Sequence, residues 1–569
     1  MPPTFAAYFT YADFNGGIRA TPEQFQSRLS EFNGPAVVYI CSVMNTVLRD
    51  WQGHTRTDAN EEFVRNSFKP QIANRIIAEF NNPELRRGLY HRQQLLFVSK
   101  AALLICPESG GKDPAAPPHA GEFGLVLLMA NDLLPKGLTG PFPTPDQLMN
   151  VLSEFIPIAE ASGFYKAIHK VVRSRLMLDR FFPNGGANIK DVFKNATGLS
   201  LQHYFALCFA TLCRYFDLDL KKYQSDPNNF VLSEGWYRTT PVPAEMLASF
   251  LSEVSASAEE FKHFLAKKKS ATNDFTCFRS KPIFKAGDNH FLIDSLFLAE
   301  KSESGVFWRI NEALSRSARL QFYQDWGLSF ERYVNWLLSE SIHESVNRIY
   351  PNPRFSDTGE EVCDAILLCS GSALFIEMKG ATFTAEAKYG TDPDKLREEI
   401  EEKLIQTDGH MKGIGQLSLH IEEVFSRKSA RRVEGVDLSA ARKVFPVLIT
   451  RDDIGSALLM NAYLASRFRH LFHRKSVAVT VTPPFTFSAQ DIEMICGYLK
   501  EASFADLIEE RYKADRNFLS TFWLLNNPII ERIGERECKP FSDALHEYFR
   551  DIANTLFPGA DLSSAGKSG

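Results

Sequence analysis

Apolar residues recur at helical spacing through most of the first half of the chain. Pro- and Gly-rich loops such as 107–121 separate these stretches. No segment repeats at a fixed interval, which argues against a solenoid of stacked repeats. Residues 1–270 are therefore predicted to form a mostly α-helical region. Its predicted helices are Glu23–Phe32, Asn60–Phe80, His91–Cys106, Glu122–Leu134, Thr144–Ala161, Lys166–Phe182 and Leu201–Phe216.

The pattern changes after a run of lysines at 267–269, which is typical of an exposed linker. Two short apolar stretches, Ser280–Phe284 and His290–Asp294, flank a Gly-Asp-Asn turn and predict a β-hairpin with a helix after it. We therefore place a domain boundary near residue 270. Residues 271–315 are predicted to be a connector of hairpin and helix.

Strand-like and helix-like patterns alternate from residue 316 to residue 486. Helices are predicted over Leu328–Glu344 and from Asp394 towards Glu423. This alternation predicts an α/β domain with a mixed central sheet flanked by helices. The fold class expected for the chain is multidomain: a helical N-terminal half, this α/β domain, C-terminal helices over 487–557 and a disordered tail over 558–569. The predicted strands are Val362–Leu368, Ala373–Lys379, Lys443–Thr450 and Ser476–Thr482.

Charged side chains stand in two of these apolar strands. Because side chains alternate across a strand, Glu377 and Lys379 share a face with Phe375, and Asp364 shares a face with Ile366. If the two faces coincide, both carboxylates meet Lys379 at one edge of the sheet. Carboxylates this close repel each other unless a divalent cation lies between them. The pattern predicts a metal site, and an ion pair near a strand end is the structural alternative.

The Glu-x-Lys triplet alone is weak evidence, because it occurs four more times in stretches predicted as helix or loop. Those copies are expected to lie on the solvated surface. What distinguishes Glu377 is its apolar strand and the neighbouring strand that carries Asp364. The other copies are Glu260/Lys262, Glu386/Lys388, Glu401/Lys403 and Glu537/Lys539.

Asp364 and the triplet Glu377-Met378-Lys379, thirteen residues further on, resemble the signature of the PD-(D/E)XK nuclease superfamily, which has the restriction-endonuclease-like fold. Two flanking segments agree with this resemblance. Gly327–Val334 opens a helix similar to the first core helix of that fold, whose glutamate often joins the site, and Glu331 matches that glutamate. Gln416–His420 resembles the Gln-x-x-x-Tyr element of the RecB-like branch.

The chain departs from the family pattern at two positions. Cys363 precedes Asp364 where the name-giving pattern has proline, and His420 stands where the RecB-like branch has tyrosine. The resemblance covers Gly327 to Pro484, under a third of the chain. It implies the fold and the activity of that stretch alone.

The resemblance implies phosphodiester hydrolysis with Mg²⁺ or Mn²⁺ as cofactor. Asp364, Glu377 and the backbone carbonyl of Met378 would hold the metal, and Lys379 would orient the attacking water. Glu331 would hold a second metal or its waters; an exposed glutamate in the first helical turn is the alternative. Gln416 would join the catalytic set, although glutamine on a helix is ordinarily a surface residue.

Two functions from different classes remain open. The first is a nuclease acting on DNA more than RNA, whose helical N-terminal half recognises substrate, a partner protein, another copy of the chain or an activating signal. Such a chain resembles a bacterial defence or DNA-processing effector at the level of architecture. The second is a catalytically silent subunit that binds nucleic acid or supports assembly. The phosphate-binding candidates are Lys388, Lys412 and the cluster Arg427–Arg432.

The composition of the chain limits how it can contact nucleic acid and where in the cell it is expected. The 569 residues carry a net charge of −5 at pH 7, so contact with nucleic acid has to rely on local basic patches. Nine cysteines lack a Cys-x-x-Cys pair, and four of them lie in apolar segments as free buried thiols do: Cys208, Cys213, Cys363 and Cys369. There is no apolar run of about 18 residues, so no membrane span is predicted. A cytoplasmic location is expected.

Three further motifs have ordinary explanations. Ser109–Lys112 lacks the leading glycine of a phosphate-binding loop, and Gly566–Ser568 has no helix after it. His470 and His473 have helical spacing for a metal pair but lie among cations, which favours a surface patch.

Overall fold

A computed structural model describes residues 8–48, 56–82, 87–134, 143–144, 147–162, 167–183, 188–238, 240–267, 271–457, 459–473, 476–513 and 527–557. The tail predicted over 558–569 lies outside these residues, and so does the lookalike motif at 566–568.

Helices fill the part of the chain before residue 270. They are α1 (Pro22–Leu29), α2 (Gly34–Val47), α3 (Thr57–Ser67), α4 (Pro70–Asn81), α5 (Arg92–Ile105), α6 (Pro117–Leu133), α7 (Leu148–Ser162), α8 (Ala167–Leu176), α9 (Ile189–Thr197), α10 (Leu201–Phe216), α11 (Leu220–Ser225), α12 (Glu234–Tyr237), α13 (Ala244–Val254) and α14 (Ala258–Lys267). A π-helical turn, Met177–Phe181, extends α8.

The remaining helices are α15 (Thr276–Ser280), α16 (Ser295–Glu300), α17 (Val306–Ala313), α18 (Arg316–Ser341), α19 (Ala385–Tyr389), α20 (Pro393–Leu404), α21 (Ile414–Phe425), α22 (Met460–Leu471), α23 (Ala489–Ile495), α24 (Phe504–Lys513), α25 (Pro528–Ile533) and α26 (Lys539–Leu556). The strands are β1 (Leu232–Ser233), β2 (Ser255–Ser257), β3 (Ile283–Ala286), β4 (Asn289–Leu292), β5 (Arg348–Pro351), β6 (Ala365–Cys369), β7 (Ser372–Lys379), β8 (Gln406–Thr407), β9 (His410–Met411), β10 (Lys443–Thr450), β11 (Thr480–Val481) and β12 (Phe485–Ser488).

Two predicted helices are divided in the structure. The stretch 60–80 forms α3 and α4, because Pro70 occupies the first turn of α4, where its missing N–H is not needed. The stretch 394–423 forms α20, a short β8–β9 hairpin and α21. Asp408 and Gly409 form the hairpin turn with φ of 48° and 79°, a conformation that a helix does not contain.

The sheet of the α/β part is mixed, as predicted. Its strand order is β11-β10-β7-β6-β5, and β12 also pairs with β10. Strands β5, β6 and β7 are antiparallel neighbours, whereas β7 pairs with β10 in parallel. The strand predicted over Ser476–Thr482 is shorter, since only β11 pairs with β10 there.

Helices from both halves of the chain cover this sheet. On one face, Leu152 and Ile156 of α7 belong to a hydrophobic cluster with residues of α20, α21, α22 and the sheet. The other face shares a single hydrophobic cluster with the N-terminal helices, which extends from Phe9 to Leu556. The helical region therefore supplies part of the core that buries the α/β sheet.

The boundary predicted near residue 270 falls inside a second sheet. The predicted hairpin is present as β3 and β4, but β2 and β1 of the helical region flank it in the order β1-β4-β3-β2. Lys100 of α5 also donates from Nζ to the carbonyls of Ala271 at 2.7 Å and of Thr272 at 3.0 Å. Strands and hydrogen bonds thus cross the position where sequence composition suggests a linker.

A buried group of charges joins the two halves. Arg173 of α8 donates to Glu303 at 2.9 Å and to Glu493 at 2.6 Å, and the Arg173 and Glu493 side chains are 0% exposed. Lys170 lies 2.5 Å from Asp453. We call this group the junction cluster; its members are Lys170, Arg173, Glu303, Arg451, Asp453 and Glu493.

The nine cysteines are free thiols, as predicted. Of the four predicted to be buried, Cys208, Cys363 and Cys369 are buried and Cys213 is partly exposed. In the part of the chain that the structure describes, no helix combines the length and apolarity needed to cross a bilayer.

Candidate active site

The hairpin of β6 and β7 determines where the charged strand residues lie. Ser370 and Gly371 form its tight turn, with φ of 29° and 77°. The register pairs Ile366 with Phe375 and Ala365 with Ile376. Extending this register by one residue brings Asp364 opposite Glu377, so the two faces coincide as the sequence pattern requires.

Asp364 lies where pairing between β6 and β7 ends. Since Ala365 is the last paired residue of β6, the backbone of β7 beyond Ile376 has no strand partner on that side. The Asp364 side chain takes this place: its Oδ2 accepts a hydrogen bond from the Met378 N–H at 2.5 Å. The carboxylate is 9% exposed and is fixed by the backbone of the residue between Glu377 and Lys379.

Lys379 is held between a carboxylate and an amide. Its Nζ lies 2.7 Å from Glu377 Oε2 and donates to Gln416 Oε1 at 3.0 Å. Gln416 Oε1 also accepts from the Gly413 N–H at 3.0 Å, which caps the start of α21. Gly413 has a φ of 44°, and a Cβ atom there would lie 2.6 Å from the Leu404 carbonyl, so glycine is required. The helix start thus aims Gln416 at Lys379.

Glu331 reaches the same place from α18. A Cβ atom on Gly380 would lie 3.0 Å from Gly327 Cα, so this glycine pair lets α18 approach the end of β7. The Asn352 side-chain amide links Glu331 to Asp364. In the orientation that gives both its oxygen and its nitrogen suitable hydrogen-bond partners, the nitrogen donates to Glu331 Oε1 at 2.8 Å and to the Asp364 carbonyl at 3.3 Å. The structure therefore brings Glu331 close to Asp364 and Lys379.

Glu361 is a fourth carboxylate that sequence reasoning missed. It lies three residues before Asp364, and its partial burial and the nearby Asp364 carboxylate raise its pKa. Its backbone forms a bridge with Arg354. The residue stands in a loop, so no strand or helix period marks it. We call Glu331, Glu361, Asp364, Glu377 and Lys379 the site cluster.

Carboxylates outnumber cations in the site cluster, and their pKa values reflect this. Burial raises the pKa of Glu377 to about 8, with Asp364 adding to the effect and Lys379 opposing it. Burial and the charges of Asp364 and Glu361 raise the pKa of Glu331 to about 7. Burial lowers the pKa of Lys379, but Glu377 and Asp364 outweigh it, so the net shift is upward.

The donor set fits a hard divalent cation with few protein ligands. No group of three or more His, Cys, Asp and Glu side chains within the described ranges has the spacing of a metal site. A cation here would rest on Asp364, Glu377, a backbone oxygen and water, which is the ligand set that Mg²⁺ commonly uses. The excess of carboxylate over lysine supplies the negative charge for it.

His420 occupies the tyrosine position of the resembling motif in a defined way. It follows Gln416 by one turn of α21, and its Nδ1 donates to the Val362 carbonyl at 2.5 Å. Its ring meets Phe355 edge-on, with ring centroids 5.7 Å apart. His420 therefore supports the segment that leads into Asp364.

The expected phosphate-binding residues separate into two kinds. Lys388 is buried and pairs with Asp452 at 2.9 Å, so it does not face solvent as expected. In the cluster 427–432, Arg431 pairs with Asp357 at 2.8 Å and with Glu423 at 3.3 Å. Lys412 is exposed next to the cap of α21, and Arg427, Lys428 and Arg432 of the cluster are exposed as well.

The motifs given ordinary explanations have structural roles. Lys112 pairs with Glu31 at 2.6 Å and with Glu122 at 2.5 Å, so Ser109–Lys112 does not form a phosphate loop. The Nδ1 of His470 lies 2.7 Å from the Ser466 carbonyl, and that of His473 lies 3.2 Å from Glu422.

Comparisons with known proteins add little to this picture. No protein-family model matches the chain, and no curated protein matches it. Among solved structures, the chain is similar to the small subunit of the heterodimeric restriction endonuclease R.BspD6I, at 12% identity and a TM-score of 0.18, over 42% of this chain and 97% of that one. A TM-score of this size carries no argument about fold or activity, so both rest on the geometry described above.

Proposed function

We propose that this chain is a metal-dependent nuclease that hydrolyses phosphodiester bonds in DNA. The observation that carries the proposal is the site cluster: four carboxylates and one lysine around the end of β7, with the pKa of Glu377 raised to about 8. A fold has no stability reason to bury Asp364 and Glu377 next to each other, so a bound cation is their best explanation.

Each residue has a role in this chemistry. Asp364, Glu377 and the Met378 carbonyl would hold Mg²⁺ or Mn²⁺, which supplies charge neutralisation at the phosphate and a more acidic water. Lys379 would orient the attacking water and stabilise the negative charge that develops on the phosphate. Gln416 positions Lys379 through its 3.0 Å hydrogen bond. Glu331 would hold a second metal or its waters.

The second candidate is a catalytically silent subunit that binds nucleic acid or supports assembly. It is favoured by the pairing of Glu377 with Lys379 at 2.7 Å and by the absence of a three-ligand metal group among the described residues. The nuclease is preferred because one lysine leaves most of the carboxylate charge unbalanced. In the nuclease proposal, the N-terminal half contributes substrate or partner recognition, as in a cytoplasmic defence or DNA-processing effector.

The test is cleavage of plasmid and linear DNA by the purified chain. Mg²⁺ or Mn²⁺ is expected to support cleavage, EDTA to stop it, and Ca²⁺ to allow binding with little turnover. Asp364→Ala, Glu377→Ala and Lys379→Ala are each expected to lose about 10²-fold or more in rate, because each removes transition-state stabilisation. A short RNA is tested beside the DNA.

Lys539→Ala is the matched control for Lys379→Ala, since Lys539 forms an exposed ion pair with Asp543 and is 72% exposed. It is expected to cleave like the wild type. Cleavage by Lys379→Ala at the wild-type rate contradicts the proposal, and so does undiminished cleavage in EDTA. A wild-type chain that binds DNA but cleaves with none of these metals supports the silent subunit.

A further inference from the structure

A nucleic-acid strand needs cations to approach the site cluster, because four carboxylates repel a polyanion. Most cations around the cluster are already neutralised. Lys379 pairs with Glu377 and Lys388 with Asp452. Arg451 is buried and lies 3.4 Å from Glu303, while Arg431 pairs with Asp357. The strand must therefore be held by other residues at the border of the site.

One side of that border is α18. Arg332 follows Glu331 directly, is exposed, and donates to the Phe181 carbonyl at a long 3.4 Å. One turn further along α18, Trp336 carries the guanidinium of Arg180 at 4.6 Å from its ring centroid. Neither arginine forms an ion pair with another described residue. Arg332 thus keeps its charge available beside Glu331, and Arg180 lies further along α18, over Trp336.

Another side is the segment before β6. Arg354 is exposed, and its backbone forms a bridge with Glu361 of the site cluster. Its Nη1 donates to the Gly359 carbonyl at 2.7 Å, which fixes the side chain. Among the residues whose positions are described, no carboxylate pairs with it. Arg354 therefore presents a positioned, unpaired guanidinium next to the fourth carboxylate.

We propose that Arg180, Arg332 and Arg354 form a phosphate-binding track that holds a DNA strand along the border of the site cluster. The planar guanidinium matches a phosphate with two parallel hydrogen bonds. The inference rests on the proposed function and deepens it, because it names the residues that receive the substrate. It also gives the helical half a part in binding, since Arg180 belongs to the π-helical turn after α8.

The test is binding of a short fluorescein-labelled DNA duplex, measured by anisotropy over a range of salt concentrations with Ca²⁺ present. Arg332→Ala and Arg354→Ala are each expected to weaken binding about tenfold at moderate salt. Each is also expected to lower the slope of log Kd against log salt by about 0.9, the value for one phosphate contact. Arg180→Ala is expected to lower the slope by the same amount, with a smaller loss of affinity.

Arg431→Ala is the matched control, because Arg431 lies on the same domain but is paired with Asp357 and Glu423. Its slope is expected to equal that of the wild type. Arg332→Lys and Arg354→Lys, which keep the charge, are expected to restore the slope and part of the affinity. They also provide the readout if an alanine variant loses its cooperative melt.

The outcomes separate this inference from the proposed function. Wild-type cleavage with unchanged salt slopes in all three alanine variants overturns the track and leaves the nuclease standing. Lowered slopes in the alanine variants support the track. If the wild-type chain also fails to cleave DNA with every metal tested, the nuclease is overturned while the track stands. A slope lowered equally by Arg431→Ala overturns the track, because the effect is then general to the surface charge.

Discussion

Two clusters of carboxylates in this chain, each with buried members, differ in charge balance. The junction cluster sets three carboxylates against three cations, whereas the site cluster sets four carboxylates against one lysine. Burial raises the pKa of Glu303, but Arg173 and Arg451 outweigh it and lower that pKa to about 2. In the site cluster, burial and repulsion raise the pKa of Glu377 to about 8.

The difference shows that burial alone does not mark a functional carboxylate. Both Glu303 and Glu377 are 2% exposed, yet their pKa values move in opposite directions. Only the number and closeness of cations differ. A balanced cluster can hold two parts of a fold together, while the repulsion in an unbalanced one is relieved by protonation or by a ligand of the opposite charge.

Separating the partners of the junction cluster is expected to have the largest effect on the stability of the fold. A fragment of residues 1–270 carries Arg173 without Glu303 and Glu493, and it lacks the strands β3 and β4. Buried charge without partners and an incomplete sheet oppose folding. We expect no cooperative melt by circular dichroism for this fragment. A sharp melt would mean that the halves are independent domains, as the sequence composition suggests.

Breaking one pair within the full chain is expected to have a smaller effect. Glu493→Gln leaves Arg173 with one carboxylate, and the loss of a buried partner costs about 3–5 kcal/mol of unfolding free energy. Urea denaturation measures this loss. Glu547→Gln, on the surface of α26, serves as the control and is expected to lie within about 0.5 kcal/mol of the wild type. A loss for Glu493→Gln no larger than that of the control would remove the structural role of the cluster.

The two clusters are expected to respond to pH with opposite signs. The folded pKa of Glu377 is raised from 4.5 to about 8, so its stabilising contribution is complete below about 4.5 and is lost as pH rises towards 8. The free energy of unfolding of Glu377→Gln, relative to that of the wild type, is therefore expected to rise by an amount on the order of 1 kcal/mol between about pH 5 and about pH 8. Denaturation at both pH values measures it.

The folded pKa of Glu303 is lowered to about 2, so its contribution is present above 4.5 and lost as pH falls. Glu303→Gln is expected to be less stable than the wild type at neutral pH, with a gap that closes in acid. The comparison would be contradicted if the stability differences of Glu377→Gln and Glu303→Gln from the wild type changed with pH in the same direction.

Much of the site was accessible from the sequence, because strand periodicity and a tight turn are local signals. The alternation along β7 predicts that Phe375 and Glu377 lie on one face of the sheet and Ile376 on the other. In the structure, Phe375 and Ile376 belong to two different hydrophobic clusters, one on each face of the sheet. Gln416 was accessible only through the resemblance, but its role as a helix cap explains why a polar residue suits that position.

The remaining features depend on contacts between distant parts of the chain. Arg173 and Glu493 are 320 positions apart, so nothing local predicts their pairing. Lys388 has a surface pattern in the sequence, yet packing buries it against Asp452. Helix α2 was missed because buried residues surround most of its circumference and leave no periodic polar face.

Calorimetric titration of the metal-free chain with Mn²⁺ tests the central claim most directly. The site cluster is predicted to bind Mn²⁺, and Asp364→Asn and Glu377→Gln are each predicted to weaken binding by about tenfold or more, because each removes a carboxylate ligand. Asp543→Asn, a 61% exposed carboxylate on α26, is the control and is predicted to bind like the wild type. Mn²⁺ affinity that is the same in Asp364→Asn, Glu377→Gln and the wild type would contradict the account.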